Sequence, residues 1–207
     1  MRTDAALDYD NYEPGIQLLS ATFPDDTTRA LLTEIARDND DTRYTRQAIS
    51  SLAKHFHDDK TRVLLTDFAR RSGESDFRCE AISSIAEHFR DDTTYALLMK
   101  IARRDEDASA RREAILSLAE YFPDDETRAL LTDFARCDGN SEFRCRAIWS
   151  LAMHFRDFPE TAEALREIVA GERGRLFVSK IVSDATGCRA LKEYLKSFLK
   201  DPGVAEP

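Results

Sequence analysis

Glycine and proline are scarce in this chain, 7 and 6 among 207 residues. That leaves little room for long loops or linkers. No stretch approaches the ~20 apolar residues of a membrane-spanning helix. The opening M-R-T-D-A-A-L-D-Y-D has no apolar core of signal-peptide length. Neither a nucleotide-binding P-loop nor an Asp-x-Asp-x-Asp-Gly calcium loop occurs. Positive charge is also short: 30 Lys and Arg against 39 Asp and Glu leave a net charge of -9. That balance argues against non-specific binding to DNA, RNA or anionic lipid, all of which reward Lys and Arg. The 42% of hydrophobic residues are, however, too many for a disordered chain.

What the chain has is a repeat. Four stretches, 25–56, 58–89, 91–122 and 124–155, superimpose at an offset of 33 residues. Each has the form D-D-x-T-R-A-L-L-T-x-F-A-R, a polar loop, then F-R-x-x-A-I-x-S-L-A-x-H-F. Leu31, Leu64, Leu97 and Leu130 share one position, and Ala48, Ala81, Ala114 and Ala147 another. Self-similarity at such a period means a stacked array, in which each unit buries its apolar face against its neighbours.

Within 58–89, Leu64, Leu65, Phe68 and Ala69 form one helical stripe, and Phe77, Ala81, Ile82, Ile85, Ala86 and Phe89 a second. Asp58-Asp59 caps the first helix and complements its dipole; Ser72-Gly73-Glu74 breaks it, and Ser75 or Asp76 caps the next. The reading is an all-α, right-handed α-α superhelix of about five stacked antiparallel helix pairs in a single domain, 1–207. A half-repeat at 12–23 precedes the four full ones. A degenerate pair at 159–185, a capping helix at 188–200 and a tail at 201–207 follow.

The cysteines Cys79, Cys137, Cys145 and Cys188 fit no disulfide framework. Cys79 and Cys145 occupy one position two repeats apart, and helices stack roughly 8–10 Å apart, beyond the ~7 Å that a disulfide tolerates. Free thiols and a cytoplasmic location are expected.

The pairs Phe77-Arg78 with Ala81 and Ile85-Ala86, Ala110-Arg111 with Ala114 and Leu118-Ala119, and Phe143-Arg144 with Ala147 and Leu151-Ala152 resemble the HEAT-repeat family. Tyr44-Thr45 departs from the pattern, without the arginine. The resemblance covers about 12–184 and implies an α-solenoid, with the second helices lining a concave surface. The D-D-x-T-x-x-L-L element also looks like repeats in bacterial NTPase-linked signalling and defence proteins, where they form sensor regions. In size and repeat class the chain is similar to HEAT-like bilin lyases.

Chemistry finds little support. The Asp pairs lie along an edge and cannot converge on one ion. His55, His88 and His154, with Tyr121 between, form a column of the same kind, and zinc needs its ligands ~2 Å from one metal. Ser51, Ser84, Ser117 and Ser150 are repeat positions explained by close helix packing. No catalytic residue, metal or cofactor is assigned.

The informative positions are those where repeats disagree. On the open side of the second helices run the columns Arg46, Cys79, Arg112, Cys145; Gln47, Glu80, Glu113, Arg146; Ser50, Ser83, Leu116, Trp149; and Lys54, Glu87, Glu120, Met153. Leu116, Trp149 and Met153 stand where other repeats carry Ser, Lys or Glu. With Glu113, Glu120 and Arg146 around them, and Glu80 and Glu87 alongside, they form the candidate partner-binding surface. The expected function is a non-catalytic scaffold, adaptor or sensor module holding another protein, with no nucleic-acid or membrane partner. Docking or oligomerisation through the ragged N-terminal end is a further expectation. The alternative is a bilin lyase or tetrapyrrole-handling protein; nucleic-acid binding comes last.

Overall fold

The computed structural model describes residues 12–37, 42–70, 75–137, 141–184 and 189–200. They form twelve helices and no strand. These are α1 (Tyr12–Thr22), α2 (Asp26–Arg37), α3 (Thr42–His55), α4 (Asp59–Arg70), α5 (Ser75–His88) and α6 (Asp92–Arg104), followed by α7 (Ala108–Tyr121), α8 (Asp125–Cys137), α9 (Ser141–His154), α10 (Pro159–Ala170), α11 (Glu172–Asp184) and α12 (Arg189–Lys200). The breaker at Ser72–Glu74, residues 1–11 and the 201–207 tail lie outside the described residues.

The chain falls into two compact units, Met1–Ala114 and Ile115–Pro207, divided within α7. In the first, α2 packs on α3 and α4 on α5, and the second helices α1, α3 and α5 pack in sequence. In the second, α8 packs on α9, α10 on α11, and α9 on α11, while α12 covers α9, α10 and α11. The all-α helical-repeat solenoid is therefore the fold.

The D-D-x-T-R motif has a complete physical account. Asp58 Oδ1 accepts the Thr61 N–H at 2.8 Å, which satisfies a donor left free in the first turn of α4. Its other oxygen takes the Arg29 guanidinium of the preceding repeat. Asp91 repeats the arrangement, with Thr94 N–H at 2.8 Å and Arg62 Nη1 at 3.2 Å. The second aspartate pairs within its own helix, as Asp59 does with Arg62 Nη2 at 2.8 Å. One motif thus caps a helix and ties it to the next repeat. In the last pair Phe158 replaces the aspartate. Thr161 N–H donates to the Phe158 carbonyl at 3.0 Å, Pro159 opens the helix, and Arg128 lies 5.7 Å over the Phe158 ring instead of against a carboxylate.

Backbone N–H groups of Thr28, Thr61 and Thr94 hold the carboxyls of Asp25, Asp58 and Asp91 below the usual carboxylate range. A carboxyl with a depressed folded pKa contributes stability above its unfolded value, and the contribution is lost as pH falls through the folded value. Stability should therefore decline below about pH 4. Asp91→Ala should cost about 1 kcal/mol near neutrality and shrink that acid decline in pH-dependent urea melts. An unchanged acid limb would contradict this account.

The arginine opening the second helix reaches back to the end of the first. Arg78 Nε donates to the Ala69 carbonyl at 3.3 Å, Arg111 Nη1 to Asp105 O at 2.6 Å and Arg175 Nε to Val169 O at 3.3 Å. The last carbonyls of a helix lack intrahelical donors, and a cation suits that end of the dipole.

The connection between α10 and α11 is the single residue Gly171. A Cβ on Gly174 would lie 1.7 Å from the Ile168 carbonyl oxygen, so only glycine permits this turn.

Candidate functional site

The second helices turn Ala, Ile and Leu inward and leave one stripe open. On α7, Ala114, Ile115, Leu118 and Ala119 are buried; on α9, Ala147, Ile148, Leu151 and Ala152 are buried. Ser51, Ser84, Ser117 and Ser150 are buried too, as close helix packing requires. The helical period places Leu116 and Glu120 together on α7, and Arg146, Trp149 and Met153 together on α9. Leu116, Trp149 and Met153 are half-buried, while Glu120 and Arg146 are exposed. Trp149 thus belongs neither to the closed core nor to bulk solvent.

His154 joins these residues. Its ring meets Trp149 edge-on, centroids 6.1 Å apart and planes at 67°. Burial lowers its pKa against the opposing pull of the Glu120 carboxylate. That coupling brings the C-terminal end of α7 to that of α9, both within the second unit. The result is an apolar surface around Trp149 with one anion and one neutral imidazole at its edge.

The remaining expected site residues, Glu80, Glu87 and Glu113, lie in the first unit. Glu80 is partly buried, which raises its pKa; Ser50 and Ser84 oppose the rise by hydrogen bonding. Glu87 lies 3.9 Å from His88 Nε2. Glu113 faces Cys79, whose thiol is pushed up to about 11 mainly by burial. A thiol that stays protonated at neutral pH is a poor nucleophile. Cys79 is a free thiol.

Among the described residues no group of three or more His, Cys, Asp or Glu could hold a metal ion, and no helix is long and apolar enough to cross a membrane.

Sequence reasoning missed one cluster. The His57 ring lies 5.7 Å from that of His88 and 6.2 Å from Phe89. His57 falls outside the His55, His88, His154 column. Its equivalents are Arg90, Pro123 and Arg156, so the repeat does not call for histidine there. That mismatch was the available signal.

A family model for HEAT repeats matches residues 95–177, from α6 into α11. No curated protein matches the sequence. The 33-residue helix pairs and the arginines of α5, α7 and α11 that reach back to the preceding helix agree with that match: residues 95–177 are similar to HEAT repeats, within an all-α helical-repeat solenoid.

Proposed function

We propose that the protein is a non-catalytic interaction module that holds a partner polypeptide against the Leu116, Trp149 and Met153 surface. HEAT repeats are generally protein-interaction scaffolds, which sets the class. The observation that carries the reading is that Leu116 and Trp149 stand, half-buried, at the position where Ser50 and Ser83 keep the repeat polar. A half-buried Trp with Arg146 beside it has the composition of an interface anchor. Glu120 at the edge favours a basic group on the partner. Glu80, Glu87 and Glu113 occupy the matching sequence columns in the first unit. The free thiol of Cys79 fits a reducing compartment.

Trp149 is the sole tryptophan, so intrinsic fluorescence reports on the patch directly. A partner isolated from the native cell should shift that emission on titration. Trp149→Ala should weaken its binding by about 2 kcal/mol or more, roughly thirtyfold in Kd. Glu120→Lys should weaken it further at low salt than at high salt. Substituting Arg70 and Arg103, exposed at the ends of first helices, should have little effect, and each variant must keep its Tm. Binding that survives the changes at Trp149 and Glu120 but falls with those arginines would reject the proposed surface.

A further inference from the structure

Three of the four histidines gather at the C-terminal ends of α3 and α5: His55, His57 and His88. Beside them a cleft of about 420 Å³ opens between α1 and α3. Gln17, Leu18 and Ala21 line it from α1, and Gln47, Lys54 and His55 from α3. Leu18 is 69% exposed, an apolar side chain left in the open at the cleft.

Charge in this corner is one-sided. The described side chains of α1 carry none. On α3 stand Arg46, Lys54 and His55, with His57 in the turn that follows. Asp58 comes next, but it is occupied by the Thr61 N–H and by Arg29. On α5, Glu80 is engaged by Ser84 at 3.4 Å and faces Arg46. Glu87 is the carboxylate nearest His88, and Arg90, whose Nε donates to the Glu87 carbonyl at 3.1 Å, adds a further cation. With Arg46 set against Glu80, the cations Lys54 and Arg90 and three imidazoles remain around the one carboxylate of Glu87, in a protein of net charge -9.

We propose that this corner is a second docking site, which takes an acidic peptide segment of a partner: an apolar side chain on Leu18 and Ala21, and a carboxylate between Lys54 and His55. Acidification strengthens the site as His55 and His88 gain charge. The charge complementarity selects an acidic peptide, and the exposed Leu18 selects one that also carries an apolar group.

The titration follows from the surroundings. Burial lowers the pKa of His55, with Lys54 and His57 adding to the effect. For His88 burial lowers it first; Glu87 opposes, and His57, Lys54 and Arg90 reinforce. Depressed folded values mean that, without a ligand, stability is held above the unfolded histidine pKa and lost as pH falls through the folded ones. A bound carboxylate offsets the new charge, so binding and protonation support each other.

The test uses the full chain and a labelled short peptide of alternating leucine and glutamate, titrated at about pH 7.5 and pH 5.5. The peptide should bind, more tightly at the lower pH by roughly five- to tenfold, the effect of one additional half-screened ion pair. It should also restore the Tm lost on acidification. A leucine–lysine peptide should not bind, and a serine–glutamate peptide should bind more weakly. Lys54→Glu should abolish binding at both pH values. The double variant His55→Gln with His88→Gln should bind at neutral pH but lose the gain on acidification. Trp149→Ala should leave all of this unchanged. Equal binding of the lysine peptide, indifference to Lys54→Glu, or no binding of the glutamate peptide at either pH would overturn the proposal. Capture by anionic vesicles without capture of the peptide would assign the corner to a lipid surface and overturn it equally.

Discussion

Leu98→Ala is expected to destabilise the protein by about 3–5 kcal/mol in urea-induced unfolding. Leu98 is 0% exposed, as are its repeat equivalents Leu32, Leu65 and Leu131. Truncation there removes buried methyl groups and leaves a cavity that its packed neighbours cannot close. Its neighbour Leu97 is 8% exposed and borders the open cleft between α4 and α6. Leu97→Ala should therefore cost less, about 2–3 kcal/mol. Leu31, at the same repeat position as Leu97, is 43% exposed, and Leu31→Ala should cost below about 1 kcal/mol. The ordering matters more than the absolute values. A Leu31 variant as damaged as the Leu98 variant would mean that the assigned stacking register is wrong.

The second large effect is expected at Arg78. Its side chain is 9% exposed, against 27% for Arg62. Arg78 joins three groups: the Ala69 carbonyl at 3.3 Å, Asp105 at 2.6 Å and Asp107 at 3.4 Å. It therefore links the end of α4 to the turn of the following repeat. Removing one partner of a buried ion pair costs about 3–5 kcal/mol. Asp105 and Asp107 are 18% and 25% exposed, so water recovers part of that, and about 2–3 kcal/mol is expected for Arg78→Ala. Arg78→Lys should recover only part of the loss, because a single ammonium cannot span three acceptors as the planar guanidinium does. Arg62→Ala breaks more exposed pairs and should cost below about 1 kcal/mol. Paired denaturant melts of the two alanine variants decide the matter; equal losses would remove the special role assigned to the Arg78 position.

The helix pairs were legible because their signals are local. The Asp–Thr cap sits within one turn, and apolar spacing fixes which side of a helix is hydrophobic. From these, the order and spacing of the helices follow. The candidate surface was legible only as a disagreement between repeats, at Leu116 and Trp149. How far Trp149 is covered was not legible, since His154 and the neighbouring helices decide it. The His57–His88 pairing was hidden for the same reason: it joins the end of one repeat to the end of the next, outside any column.

By itself, then, the sequence determined the period, the position and type of each helix, the capping chemistry and the inward stripe. All of these depend on residues a few positions apart. The tertiary structure decided which of two adjacent leucines is sealed from water, why the second helix opens with arginine, and where cations and histidines collect around a cleft. The arginine contacts need one helix pair to close, across 6–9 positions; the other outcomes depend on distances between residues on successive helices, which exist only once the repeats have stacked.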